Sequence, residues 1–578
     1  MRPLPTSPDA FVGASWADIS PYYDDLAAAS VDASTAESWL AHWSRLEELI
    51  AQAGTRALMA YTCDTADAEK ERVYLQFYGE IYPQADAQQV RLARRLLDLE
   101  ITRSDLQTTL ERFRTDVRIF REENIPLVSE LEGLDAQYQK ITGGLTVPWR
   151  GETLTIPQLQ PLLQDADRSV REQAFRLGAA AYLEQRQALS DIFDGMYARR
   201  QQIASNSGFA DYQAYAFASK HRFDYTPADC ARFHDAVEAT VVPAMARLHE
   251  FRRERLGVDT LRPWDLGVDP DGAPALRPFA NTRQFVETAT RAFGALDPQL
   301  GDWFAEMDRA GLLDLESRTG KAPGGYCTKL PVEGLPFIFM NAVGVADDVN
   351  TLVHEAGHCF HVFAARHLPY LWQRGTGSEA AELASMSMEL LAAPHLIQPT
   401  GYYTPDEARR AQLEHLEDVI LSLAHIASVD AFQAWIYTSR HGHDAAARDA
   451  AWLEIRARFE RGVDWSGLAP ERTARWYRQL HIFEHPFYYI EYGIAQLGAL
   501  QVWRRSLEDP AAAVRAYRDA LRLGGSVSLP EMYRAAGAKL VFDADTMGEL
   551  VALVEGRISE LRRATPVSPA HGVAAVAR

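Results

Sequence analysis

The chain has 578 residues, 47% of them hydrophobic and 24% charged, with a formal charge of −20. That length gives ample core for two lobes, and the composition is that of an ordinary soluble globular protein. The acidic balance speaks against a general nucleic-acid or anionic-membrane binder.

Cys63, Cys230, Cys327 and Cys359 are widely spaced and form no CxxC pair. They read as reduced thiols rather than a disulfide framework, and Cys359 as a packing residue. The N-terminal stretch MRPLPTSPDAFVGASW lacks the apolar segment of a signal peptide. No stretch reaches about 18 uninterrupted apolar residues. A cytoplasmic protein with neither nucleic acid nor membrane as partner is expected, and oligomeric state is not legible.

Residues 1–20 contain three prolines and read as an extended lead-in. From Pro21 to about Leu131 apolar residues recur at three and four, as in VRLARRLLDLEITRSDLQTTLERF, which predicts several long helices. Residues 142–156 alternate instead, with Gly151 between Leu145/Val147 and Leu154/Ile156, and predict a small hairpin. Helical sequence resumes at Pro157, and residues 189–217 hold two more helices around Gly208. Residues 256–280 are rich in Gly, Pro and Asp and mark a surface excursion. The expected division is an N-terminal helical lobe over 1–200, a catalytic lobe over 201–564 and a disordered tail over 565–578.

Beyond about Leu315 a Gly-rich loop precedes Pro336–Asn341, a short apolar run that predicts a strand. Its Phe337–Asn341 part could pair with the backbone of an extended peptide, as edge strands do, and Gly324-Gly325-Tyr326 could form a loop touching substrate. Next comes His354-Glu355-Ala356-Gly357-His358, an HExxH motif among apolar Leu352, Val353, Phe360 and Val362. On a helix His354 and His358 emerge a turn apart on one face, a spacing that holds one tetrahedral zinc. Glu355 lies about 100° round the helix, placed to take a proton from a water at the metal. A chance HExxH is the bland alternative, but a buried helix carrying three His and a Glu needs a reason.

Two histidines are too few, because a catalytic zinc usually takes three protein ligands. The helix should end soon after Arg366, and a second, Ser378–Leu391, carries Glu379, Glu382 and Glu389. Glu382 and Glu389 are two turns apart and share a face. Any of the three could ligate, and His361 competes with them. The long-spaced three-histidine arrangement of metzincins is excluded, since position 361 is His and position 364 is Ala. Further on, HIFEHPFYYIEYG places Tyr489 and Tyr492 on one side of a helix, and phenols or imidazoles can serve an oxyanion.

HEAGHCFH, ELASMSME beginning 28 residues after His354, PFIFMN…DDVNTLVHEAGH and HIFEHPFYYIEYG together resemble the thimet-oligopeptidase/oligoendopeptidase F family, in its oligoendopeptidase F branch. The resemblance runs loosely from about residue 110 to 560. It implies a mainly α protein in which two helical lobes flank a deep substrate channel, with a small β-sheet beside the zinc helix. It implies one Zn²⁺ per chain on His354, His358 and Glu382, with Glu389 in support and His361 not a ligand. It implies Glu355 as the base and His481, Tyr489 and Tyr492 as oxyanion donors. Tyr488 competes with Tyr489 because adjacent tyrosines leave the register open, and His485 reads as structural. The expected activity is hydrolysis of internal bonds of short unstructured peptides. The alternatives are a terminal-specific zinc peptidase, or a zinc-containing peptide-binding protein without turnover.

Overall fold

The computed structural model describes residues 1–564 apart from 33, 101, 102, 319 and 323. The tail expected over 565–578 lies outside the described residues. The fold is mainly α, with twenty-four α-helices and two small sheets among the described residues. Local chemistry sets many of the helix starts. The longest helix, Pro405–Thr438, begins at a reciprocal cap in which the Thr404 N–H donates to Glu407 Oε2 at 2.9 Å, with Pro405 at the position where a missing N–H costs nothing. This helix is long and apolar enough by composition to cross a membrane, and 67% of its most apolar window is buried inside the fold.

The hairpin pairs Thr146–Trp149 antiparallel with Glu152–Thr155. Arg150 and Gly151 turn it with positive φ of 50° and 90°, the left-handed conformation that two-residue turns require.

The second sheet has three strands, with Leu335–Ala342 in the middle, parallel to Leu313–Glu316 and antiparallel to Tyr326–Leu330. The run expected at Phe337–Asn341 therefore forms a strand, but its backbone is paired on both sides and cannot add a peptide. Among the described residues the sheet's edges are Leu313–Glu316 and Tyr326–Leu330, the latter next to Gly324 and Gly325. The loop before that edge is tied down, since Asn341 Nδ2 donates to the carbonyls of Ala322 and Gly324 at 2.8 and 2.9 Å. Tyr326 stacks on Phe339 and bonds Thr62 Oγ1 at 2.7 Å, so it faces the N-terminal helices.

The buried apolar residues form two clusters. One joins Phe11–Phe113 with Tyr370, and the other runs from Tyr138 to Leu561. The break between the two clusters falls between Phe113 and Tyr138, and the larger one spans residue 200. The reason is aromatic packing: Phe193 sits edge-on to Trp476 and Phe483 at 5.4 and 5.3 Å, which ties the helix Arg186–Asn206 into the larger core.

Candidate metal centre

The HExxH motif lies on the helix Ala346–Ala365. Asp348 anchors its start, with Oδ2 accepting the N–H groups of Val343, Gly344 and Val345 at 2.7–2.9 Å. Leu352, Val353 and Phe360 are buried, so the apolar face packs inward and fixes where the histidines emerge. The glutamate helix, Ser378–Ala392, crosses the HExxH helix at Gly357. A Cβ on Gly357 would stand 2.5 Å from Ser385 Cα, so only glycine lets the two helices approach this closely.

That approach brings Glu382 to both histidines. Glu382 Oε2 lies 3.4 Å from His354 Nε2 and 3.8 Å from His358 Nε2. A tetrahedral zinc with bonds of about 2.0–2.1 Å sets its donors about 3.3–3.4 Å apart. The three side chains thus offer a two-nitrogen, one-oxygen donor set of the right spacing, and they are the one such cluster among the described residues. Glu379 is not part of it; its carboxylate accepts from Tyr225 Oη at 2.6 Å. His361 is buried with Nε2 unpartnered, and burial pushes its pKa down to about 3.

Glu389 bridges two histidines. Its Oε1 meets His354 Nδ1 at 2.6 Å and its Oε2 meets His415 Nε2 at 2.8 Å. A carboxylate only accepts, so the His354 Nδ1–H points at Glu389 and Nε2 is the nitrogen left for a ligand. Burial opposes Glu389's charge, but the two imidazoles outweigh it and hold the carboxyl at about 2. His358 has no such partner, and burial pushes it down to about 4. Burial likewise pushes Glu355 up to about 7, with the neighbouring His354 opposing.

The C-terminal motif is split by its backbone. Phe487, a non-glycine residue, has φ of +63°. It is held there by its N–H on Gln433 Oε1 at 2.7 Å and by the buried Arg222, which donates to its carbonyl. Such strain persists only where the surroundings over-determine it. The turn aims Tyr488 inward, and its Oη donates to Glu382 Oε1 at 2.8 Å. Tyr492 packs against it, with ring centroids 5.1 Å apart. Tyr489 turns away, accepting from Gln479 Nε2 at 2.6 Å and meeting His425 edge-on. Tyr488 rather than Tyr489 is therefore the tyrosine that touches the cluster. His481 contacts all three rings at 4.9–6.0 Å, and its Nδ1 is buried without a partner. His485 is exposed.

A cavity of about 550 Å³ opens beside the cluster. His358, Glu382, Tyr488 and Cys327 line it on one side, and Phe113 and Trp372 on another. His415, Arg222 and Gln433 are not found by sequence reasoning. Each lies far along the chain from the group it holds, and none sits in a local pattern.

The pattern of peptidase family M3 matches residues 161–550. The chain belongs to this family. It is a metalloendopeptidase, and its substrates are peptides. The chain is 21% identical over 469 residues to an oligoendopeptidase F homologue of Borreliella burgdorferi, covering 77% of this chain and 75% of that one. It superposes on PZ peptidase A with an inhibitor at a TM-score of 0.88 and 28% identity, covering 95% of this chain and 98% of the other. The oligoendopeptidase F of Enterococcus faecium shares the fold at a TM-score of 0.63 and 16% identity, over 95% and 97% of the two chains.

Proposed function

We propose that the chain is a zinc oligopeptidase that cuts internal bonds of short unstructured peptides. The observation that carries this reading is the convergence of Glu382 Oε2 on His354 Nε2 and His358 Nε2, 3.4 and 3.8 Å away, with Glu355 on the same helix. His354, His358 and Glu382 would hold the ion. When bound, zinc supplies Lewis acidity, polarising the scissile carbonyl and acidifying a nearby water.

The remaining work falls to this chain's side chains. Glu355, buried and with its pKa raised to about 7, takes the proton of the attacking water on a carboxylate oxygen and returns it to the leaving nitrogen. Tyr488 and Tyr492, with His481 behind them, donate to the oxyanion that develops. Tyr489 keeps Gln479 and His425 in place rather than donating. Glu389 and His415 hold the His354 ring. The free edge of Tyr326–Leu330 offers backbone groups to an extended substrate, and the cavity beside the cluster suits a short peptide rather than a folded chain.

Mass spectrometry of a size-graded set of end-blocked peptides tests this, with wild type, chelated protein and Glu355→Ala in parallel. Internal cuts confined to short peptides, lost in both controls, are expected. Loss of cutting in Glu355→Ala should reach about 10²–10⁴-fold while the bound metal stays. Cuts only at free termini, or none by metal-loaded wild type, would overturn the reading.

A further inference from the structure

The cavity beside the metal cluster carries a charge that the hydrolytic machinery does not use. Four cationic side chains, Arg112, Lys329, Arg366 and Arg374, line it together with His221, besides the histidines of the HExxH helix. Three of these five have a carboxylate partner. His221 bonds Asp116 at 2.6 Å, Arg366 pairs with Glu306 at 3.3 Å and Arg374 with Glu48 at 2.9 Å. Among the described residues neither Lys329 nor Arg112 has a carboxylate partner. Among the described residues Arg112 Nη1 donates only to the Gly375 carbonyl, at 2.9 Å, and Lys329 makes no side-chain hydrogen bond.

Lys329 is open to the cavity, yet the protein encloses it closely enough that desolvation lowers its pKa, with Arg112 adding to the effect. Desolvation lowers the pKa of Arg112 as well. An arriving carboxylate relieves both penalties, because an opposite charge close by favours the charged form. Phe113, Trp372, Val362 and Leu371 give the wall an apolar part, and its two carboxylates, Asp116 and Glu382, are engaged by His221 and His354. Cations without a carboxylate partner beside apolar side chains favour an anion, with which they make charge-assisted bonds.

The position relative to the chemistry follows from the strand. Cys327 and Lys329 are two apart on Tyr326–Leu330 and project to the same face. Cys327 lies against the HExxH helix, its Sγ 3.4 Å from Cys359 Sγ. Two strand residues span about 7 Å. A group bound at Lys329 therefore lies about one to three peptide residues from a bond held at the cluster.

We propose that Lys329 and Arg112 form a carboxylate-binding subsite that places a peptide by an anionic group near the bond to be cut. The proposal rests on the peptide-hydrolysing reading of the cluster. The carboxylate is either the substrate's C-terminus or an Asp or Glu side chain, and the chemistry of recognition is the same for both.

The test uses the full metal-loaded chain and matched peptides of one sequence: free acid against C-terminal amide, and, in the amide series, Glu against Gln at each position flanking the cut. The readout is the ratio of kcat/KM for the anionic over the neutral member, in wild type, Lys329→Met, Arg112→Gln and Lys329→Glu. The same ratio is read as Kd on a Glu355→Ala background. Wild type should favour one anionic peptide about ten-fold or more, as a close charge pair allows. The ratio should fall towards one in Lys329→Met and in part in Arg112→Gln. Lys329→Glu should invert it and favour a lysine placed at the same position, a gain that misfolding cannot produce. Whichever pair responds, acid–amide or Glu–Gln, identifies the source of the carboxylate. A wild-type ratio near one in every pair, or a ratio unchanged in both neutral variants, overturns the subsite while peptide cleavage itself stands. No cleavage of any peptide by metal-loaded wild type overturns both readings together.

Discussion

Glu389 and Glu47 are two glutamates largely withdrawn from water inside helical packing, and their surroundings drive them to opposite states. Glu47, in the N-terminal cluster, accepts from Tyr23 Oη at 3.0 Å and Trp43 Nε1 at 2.9 Å. Both donors are neutral, so burial dominates and pushes the carboxyl up to about 7. Glu389, at the metal cluster, meets two imidazoles and is held at about 2. Depth alone does not set the charge of a buried acid; the charge its partners can carry does. The first pattern fits a packing group, and the second fits a site that must stay ionised to orient a ligand.

The largest effect expected from this contrast concerns the tyrosines next to Glu382. Tyr488 donates to that carboxylate, whereas Tyr489 is engaged with Gln479. Tyr488→Phe should lower kcat by about 10²–10³-fold, the usual cost of losing one oxyanion donor. Tyr489→Phe should change it far less. Steady-state kinetics on one blocked peptide decides between them, and the reverse order would move the donor role to Tyr489.

Glu47 gives the next effect, in stability rather than rate. Its folded pKa of about 7 stands above the ordinary 4.5, so between those values the folded chain binds more protons than the unfolded one. Stability should therefore fall as pH rises through that window and level off above it. The loss attributable to this group is about 3 kcal/mol. Glu47→Gln should remove it. Urea unfolding from pH 4 to 8, followed by a signal from the N-terminal helices, would show a flatter profile in the variant; parallel profiles would mean that Glu47 ionises normally.

Much of the metal cluster is legible in the amino-acid sequence. His354 and His358 are four apart and Glu382 stands on the next helix, so local periodicity plus a family resemblance brings the donors together. The mainly helical fold is legible for the same reason. What escapes depends on contacts between distant segments. His415 lies 26 residues beyond Glu389 on another helix, with no spacing to flag it. The choice of Tyr488 over Tyr489 depends on the left-handed turn at Phe487, which Gln433 and Arg222 hold from elsewhere in the chain. An apolar run such as Phe337–Asn341 announces a strand but not its neighbours, so its place in the middle of the sheet has no local signal. The division between the cores is set over a similar range, because Phe193 finds its partners at Trp476 and Phe483, nearly 300 residues on.

The smallest effect bears most directly on the contrast between the two glutamates. A glutamine at 389 has one carbonyl oxygen, so it can accept from His354 or from His415 but not from both. It also turns an N–H₂ group towards the imidazole it fails to accept from. Glu389→Gln should loosen the His354 ring and weaken zinc binding about 10–100-fold, measured by competition with a chelator. His415→Ala leaves the Glu389 charge and its bond to His354 intact, so it should cost less. Stability should respond in the opposite sense at the two sites: Glu47→Gln gains above pH 7, where the native carboxyl is strained by its charge, whereas Glu389→Gln does not. If Glu389→Gln left metal affinity unchanged and only shifted the unfolding midpoint, Glu389 would be a packing acid like Glu47, and the His354 ring would be oriented by the helix alone.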